Sequence, residues 1–512
     1  MDAAPAETVP VDPLEAPPVF THEQILRVVT GILLCILLAA IDQTVVVPAV
    51  PSIAADLNGF GHLSWIVTAY LLTSTVATPI YGKLSDIYGR RALLLPAIVL
   101  FVVASMLCGF AQSLVQLIIA RALQGLGGAG LMAMSQASIA DVVSPRERGR
   151  YQGYMAGTWG VASVAGPILG GWMTDYMSWR WIFWVNLPIG IAAYLLSSSA
   201  LKLLPMKIRK AKIDYLGAAI LSCCITSCLL VMSWGGNEYD WGSPEVIGTG
   251  GLAVALLVAL IWQERRNAEP LLPPRLFSNM VFSRGVVLSA LNSGAMFGGI
   301  FLLPLYFQLI RGADASLSGS LIVPFLGANC VGAFTAGQLA RRLGRVKIIL
   351  QAGLGTAAVG FVLLTTTIQS DSSGTLAIIY MVLIGAGIGV CMPTALVTVQ
   401  NAADHSDIGS ATGAFLFLRS MGGAVGSTLA GVLLAGQFAR HVAASGIAVP
   451  IDMGALRVQE GVAMTLDAAT RLVAQGALTS AFHAAFLGCA VLEALAFITC
   501  WGLRDLPLRS AR

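Results

Sequence analysis

The sequence predicts an all-α integral membrane protein with fourteen transmembrane helices. Three observations carry that reading. The 512 residues are 56% hydrophobic and only 11% charged, against roughly 25% charged in an ordinary soluble domain. The apolar residues fall into long runs, and a spanning helix needs about 20 of them. Basic residues gather in alternate connections, as cytoplasmic loops require.

Residues 1–24 are Pro-rich and acidic (Asp2, Glu7, Asp12, Glu15, Glu23) and read as a disordered cytoplasmic tail, not a cleaved leader. The expected spans are 25–50, 63–82, 92–110, 114–140, 151–173, 181–201, 214–234, 246–262, 285–310, 318–340, 348–368, 375–399, 409–435 and 481–502. The run 246–262 is short but carries no charge. Residues 264–284 are too polar to cross and form a long inner connection. Residues 436–479 form a long outer loop with mild helical periodicity, and 503–512 a cytoplasmic tail. With the N-terminus inside, 23 of the 30 Lys and Arg residues lie on the inner side. Both termini are therefore expected in the cytoplasm, in a multi-pass protein of the plasma or inner membrane.

The nine cysteines all fall in apolar runs and read as free, buried thiols. The net charge of +4 is small and spread over helix ends, which offers no patch for a nucleic acid. The five histidines (His22, His62, His405, His441, His483) are scattered, and no G-x-x-x-x-G-K-[ST] loop is present. Neither an enzyme nor an ATP-driven pump is expected.

A repeat links two cytoplasmic turns. Gly82-Lys83-Leu84-Ser85-Asp86-Ile87-Tyr88-Gly89-Arg90 follows the second span, and Gly337-Gln338-Leu339-Ala340-Arg341-Arg342-Leu343-Gly344-Arg345 follows the tenth. If the seventh and eighth spans are an insert, the tenth is the second span of a second six-helix half. The expected organisation is thus a bundle over 25–201, two inserted helices with linkers over 202–284, and a second bundle over 285–502. Duplicated halves around a midplane site are a common transporter plan.

On these motifs the chain resembles the major facilitator superfamily, and within it the fourteen-helix drug:proton antiporters of the EmrB and QacA group. Gly82 to Arg91 resembles the loop signature between spans two and three. Leu117-Ile118-Ile119-Ala120-Arg121-Ala122-Leu123-Gln124-Gly125 is similar to the fourth-span signature associated with proton coupling. Gly166-Pro167-Ile168-Leu169-Gly170-Gly171 resembles the antiporter signature of the fifth span, and Ile41-Asp42-Gln43-Thr44-Val45-Val46 through Pro51 resembles the first-span signature of the fourteen-helix group. Val47 stands where many members carry Asn, and Ala162 where the fifth-span motif usually begins with Gly.

Four ionisable side chains lie well inside spans: Asp42, Arg121, Arg419 and Glu493. A charge at that depth costs at least ~2.5 kcal/mol on insertion scales and needs a partner, a proton or water. Counted at ~1.5 Å per residue, Asp42 and Arg121 lie roughly 12 and 10 Å from the outer ends of their helices and share a layer. A nearby guanidinium favours the ionised carboxylate and desolvation opposes it, so a movement that alters either turns Asp42 into a proton carrier. A static pair that only fixes packing is the alternative. Arg419 and Glu493 are likewise level and form a candidate second pair, structural or coupling.

Asp86 with Gly82, Gly89, Arg90 and Arg91 sits at a helix–loop–helix corner where the carboxylate can accept from a helix N-terminus. The resemblance makes this corner a cytoplasmic latch between the halves. Gly166, Pro167, Gly170 and Gly171 combine close-packing spacing with a bend, a candidate antiporter hinge. Gln43, Thr44, Gln124, Trp159, Asn292, Tyr306, Gln308, Asn329 and Gln400 are polar or aromatic residues inside spans and candidate cavity linings.

The function these residues and the resemblance imply is proton-coupled efflux of lipophilic or amphipathic drugs by alternating access. The energy source is the proton gradient, and no cofactor or metal is expected. A dedicated exporter of one metabolite or siderophore is the alternative, followed by an importer of the same fold. The expected partners are the small-molecule substrate, H⁺ and the lipid bilayer, with the chain acting as a monomer. A periplasmic adaptor is compatible with the plan.

Overall fold

The computed structural model describes residues 21–57, 64–203, 214–236, 239–267, 269–313, 315–368, 374–445 and 468–504. Among them lie fourteen long helices: α1 (His22–Asp56), α2 (Ser64–Tyr88), α3 (Arg90–Phe110), α4 (Leu114–Val142), α5 (Pro145–Tyr176), α6 (Asn186–Ala200) and α7 (Tyr215–Trp234). They continue as α8 (Pro244–Arg266), α9 (Met280–Leu309), α10 (Val323–Leu343), α11 (Lys347–Thr365), α12 (Gly374–Ala402), α13 (Ile408–Ala444) and α14 (Ala468–Trp501). Short helical turns at Trp181–Trp184 and Ala315–Ser320 precede α6 and α10. The described residues contain no strand, only an isolated bridge between Gly235 and Tyr239.

Each helix contains most or all of one of the fourteen apolar runs, with the largest extensions in α13 and α14. Twelve of them are long and apolar enough to cross a membrane, which makes the chain a multi-pass membrane protein. The exceptions, α2 and α5, have 25 and 32 residues. At ~1.5 Å rise both exceed the ~30 Å of a hydrocarbon core. Their Ser, Thr and Gly content, and the Arg residues that open α5, dilute the apolar signal.

Local chemistry sets the ends. Thr21 and Gln24 form a capping box at the start of α1. Ser113, Asp214, Ser243 and Asn279 cap α4, α7, α8 and α9 with their side-chain oxygens. Gly344 ends α10 in the left-handed conformation, with φ of 65°.

Two apolar clusters, including Ile36, Phe101, Leu131, Met134 and Phe183, draw on α1–α6 and the turn before α6. Two others, including Phe325, Phe361, Phe415, Phe482 and Phe486, draw largely on α9–α14. α7 and α8 pair with each other, and Leu221 and Ile225 of α7 reach Val76 of α2 and Phe417 of α13. The pair therefore rests on the seam between the two sets.

The loop expected over 436–479 is shorter than that. α13 runs on to Ala444 and α14 starts at Ala468, because these flanks are Ala-rich and Phe438, Ala474, Ala477 and Leu478 still bury into the core. Residues 446–467, and with them a lid over the bundle, lie outside the described residues, as do 1–20 and 505–512 of the expected tails. All nine cysteines are free thiols; Cys223 is exposed on α7, so its run is apolar without being buried.

Candidate functional site

α1 carries Asp42 into the middle of the first bundle with no solvent exposure, and α4 brings Arg121 beside it, 1% exposed. Arg121 Nη1 donates to Asp42 Oδ2 at 2.7 Å. Gln124 lies one helical turn beyond Arg121 on the same face of α4. Its Nε2 donates to Asp42 Oδ1 at 2.7 Å, and its Oε1 accepts from Arg121 Nη1 at 2.8 Å. A third donor, Asn186 Nδ2 at the start of α6, reaches Asp42 Oδ1 at 2.9 Å. The same nitrogen donates to Ser105 Oγ, which donates to the carbonyl of Phe183. The guanidinium lies 4.5 Å from the Tyr70 ring centroid, and its Nε donates to the carbonyl of Ile66 at 3.2 Å.

The carboxylate thus has three donors, one of them charged, in a site closed to water. This is the geometry in which a buried ion pair recovers its desolvation cost. Asp42 and Arg121 meet as their levels along the helices indicated. Asn186, Tyr70 and Ser105 were not anticipated. A lone Asn in the apolar run 181–201 was the available signal for the first.

At the end of the molecule that carries the repeat, Asp86 joins α2 to the N-terminus of α13. It accepts from the backbone N–H of Gly409 at 2.9 Å and of Ser410 at 2.7 Å, and from Ser410 Oγ at 2.8 Å. These are the unsatisfied donors of a helix start, whose dipole favours an anion. Arg90 Nη1 donates to Asp86 Oδ1 at 2.8 Å and contacts Ser85, and its Nε reaches Asp141 of α4 at 2.7 Å. Gly89, with φ of 85°, makes the corner that turns Arg90 inward. Gly82 packs on the backbone of Gly409 and Gly413, where a Cβ would collide. Arg91 is half-buried and stands outside this network.

The repeat is used the same way on the other side. Gly337 packs on the backbone of Gly149 in α5. Arg341, aligned with Asp86, donates to Glu147 in the first turn of α5 at 2.8 Å. The second helix of each set therefore meets the fifth helix of the other, with the charges exchanged. Gln400 Nε2 adds a bond to the carbonyl of Gln136 at 3.4 Å. Lys83 binds Glu269 of the 264–284 connection at 2.9 Å, and Arg275 binds Asp407 at 2.8 Å. These contacts close the end of the molecule that carries the repeat.

A model of the Major Facilitator Superfamily matches residues 32–427. The chain belongs to this superfamily. It is 40% identical over 82% of its length to an uncharacterized MFS-type transporter of Mycobacterium tuberculosis (strain ATCC 25618 / H37Rv), and it spans 61% of that relative's length. It is 36% identical to the multidrug transporter protein MdtP of Bacillus subtilis (strain 168), over 79% of this chain and 74% of that one. Among solved structures it is similar to the proton:xylose symporter XylE. The TM-score there is 0.63 at 16% identity, covering 95% of this chain and 97% of that one, a likeness of fold.

Within the superfamily fold, the fifth-helix glycines sit against the acidic helix. Gly166 packs on Thr44 and Gly170 on the Val45 carbonyl of α1, two and three residues from Asp42. Thr44 Oγ1 donates to the carbonyl of Ala162 at 2.9 Å, and Pro167 lies inside α5 at this level. Gly171 faces open space. Gly166→Ala is therefore expected to destabilise by ~1–3 kcal/mol through overpacking, read as a lower unfolding temperature in detergent. Gly171→Ala is the control and should lose nothing.

The candidate cavity residues do not converge. Gln124 belongs to the Asp42 cluster. Gln43 Nε2 reaches Tyr70 Oη at 3.5 Å, and Thr44 lies between α1 and α5. Trp159 packs beside the first-bundle core, half-buried. Tyr306 is wholly buried among Phe307, Phe482 and Phe486 and donates to the Thr367 carbonyl at 3.1 Å. Gln308 donates to Ser318 Oγ, and Gln400 also donates to Thr412 Oγ1. Asn329 is half-buried, its backbone under Gly389. Gln124, Asn292, Tyr306 and Gln400 are thus closed into the packing rather than lining a cavity in this conformation, because a polar group without water takes an internal partner first.

Arg419 and Glu493 do not pair. Among the described residues Glu493 accepts from Asn292 Nδ2 of α9 at 2.9 Å, with no ion pair to Arg419. The two are level, but Glu493 is turned toward α9 and Arg419, on α13, is only half-buried. Outside the membrane, Arg180 and Trp179 donate to Asp56 at 2.8 and 3.0 Å, and these bonds hold its carboxyl below the usual 3.8. Burial pushes the Arg148 guanidinium down to about 10 despite Asp141; its nitrogens cap the Ala140 and Val143 carbonyls at the end of α4.

Proposed function

We propose that the chain is a proton-coupled efflux antiporter for lipophilic or amphipathic compounds, with Asp42 as the coupling acid. The observation that carries the reading is the buried Asp42–Arg121 pair. Protonating Asp42 removes the charge that holds Arg121 and loosens the joints to Gln124 and Asn186. Those residues lie on α1, α4 and α6, and the glycine seam of α5 abuts α1 beside them. A proton arriving at Asp42 therefore alters the packing of one half against itself. A conformational change that rebuilds the pair expels the proton.

In this reading all fourteen long helices cross the membrane, with both termini in the cytoplasm of a plasma or inner membrane. Two six-helix halves over 25–201 and 285–502 rock about the site, and α7 and α8 brace their seam. Asp86 and Arg341 are the two cytoplasmic latches, closed while the outer side is open. Gly166, Pro167, Gly170 and Gly171 are the hinge. The proton gradient is the energy source, no cofactor takes part, and the monomer is the working unit. The likeness to the multidrug transporter of Bacillus subtilis favours broad export over uptake.

The test is export from energised membrane vesicles. A protonophore is expected to bring export to the level of control vesicles even with ATP supplied. Export that continues after the gradient collapses would remove proton coupling.

A further inference from the structure

Glu493 lies on α14 with no solvent exposure, eight residues and so about 12 Å from the inner end of that helix. Its surroundings differ from those of Asp42 in one decisive respect. Oε1 accepts one bond, from the neutral amide of Asn292 at 2.9 Å, and Oε2 is buried with no donor among the described residues. A buried charge requires an opposite charge or several hydrogen bonds. A neutral carboxyl needs neither.

The groups around it do not supply the missing charge. α9 offers Asn292, uncharged and buried. α13 offers Arg419, which makes no ion pair with Glu493. Cys391 of α12 lies within electrostatic reach of both Glu493 and Arg419. On its own helix the neighbours are Cys489 and, toward the inner end, Cys500. Arg284 of α9 packs on Gly502, and Lys347 of α11 donates to the Trp501 carbonyl at 2.9 Å; both are spent at the helix end, two turns away.

We propose that Glu493 is a second proton-binding site, separate from Asp42: it holds a proton on Oε2 in this conformation while Asn292 donates to Oε1, and Arg419 balances its charge once the proton leaves. This deepens the transport reading, on which its purpose rests, by giving each half its own acid. The chemistry is one proton added to or removed from a carboxyl oxygen. In the conformation described Asp42 faces the charged guanidinium of Arg121, and Glu493 faces the neutral amide of Asn292.

Infrared difference spectroscopy of the full chain in lipid bilayers tests this without any transport assay, so its outcome is independent of whether efflux is observed. Glu264 and Asp407 also have a buried oxygen without a hydrogen-bond partner among the described residues, so Glu264→Gln with Asp407→Asn is the background throughout. A protonated-carboxyl C=O band is expected at neutral pH, retained in Asp42→Asn and lost in Glu493→Gln. Asn292→Ser should shift that band without abolishing it, because the C=O loses its donor; this reports on Glu493 even where the Gln variant folds poorly. Arg419→Gln should move the band's disappearance to higher pH. No such band, a band that survives Glu493→Gln, or one indifferent to both Asn292→Ser and Arg419→Gln would overturn the assignment.

Discussion

Asp42→Asn is expected to reduce proton-driven export to the level of empty vesicles while the protein still inserts. The amide is the same size and still offers Oδ1 to Arg121, but it cannot bind and release a proton at working pH. It also leaves the Arg121 charge without its counter-ion, and breaking a buried pair costs ~3–5 kcal/mol, so a lower unfolding temperature accompanies the loss. The pair as mere packing makes a different prediction. Replacing both partners of a buried ion pair by apolar residues of similar volume is often neutral for stability, so Asp42→Leu with Arg121→Met should regain much of that temperature. If the pair only fixed packing, this double variant would also regain export. The expected result is recovery of stability and no recovery of export.

Asp86→Ala should open the end of the molecule that carries the repeat. The carboxylate accepts two backbone N–H bonds and a hydroxyl from α13, and one bond from Arg90. Hydrogen bonds to a charged group are worth ~1.5–3 kcal/mol each, and such bonds are not additive within one network. A net loss of about 3 kcal/mol is therefore expected, or roughly a hundredfold in the population of the sealed state. Spin labels at Tyr88 and Asp404, exposed on opposite sides of this seam, should report a longer and broader distance distribution in the variant. An unchanged distribution would show that the Arg341–Glu147 contact and the glycine seams suffice. Glu147 and Arg341 are both exposed by more than a third, so their bond is expected to matter far less than that of Asp86.

The fold was legible because the membrane imposes a coarse rule: long apolar runs and alternating basic loops. All fourteen runs are helices. Where the expectation failed, at 436–479, apolar flanks of the loop carry the helices onward beyond the length a bilayer needs. The site was half legible. Asp42 and Arg121 stand out because charges are rare in such runs, and Asp86 because plain basic anchoring does not explain an acid at a turn. Asn186 and Tyr70 carry no such mark, since neutral polar residues recur in several spans. Counting along a helix gives depth but not direction, which is why Asp42 and Arg121 meet while Arg419 and Glu493, equally level, do not. The same limit explains Tyr306, placed in a cavity by its chemistry and in a core by its azimuth.

The reading stands on Asp42 changing its hold on a proton as the molecule alternates. The most direct measurement is proton release on binding a transported compound to the purified protein, followed with a pH indicator in weak buffer across the working pH range. The wild-type chain is expected to release protons in proportion to ligand bound, with that release absent or sharply reduced in Asp42→Asn although ligand still binds. Ligand binding with no proton released, or with release unchanged in Asp42→Asn, would contradict it.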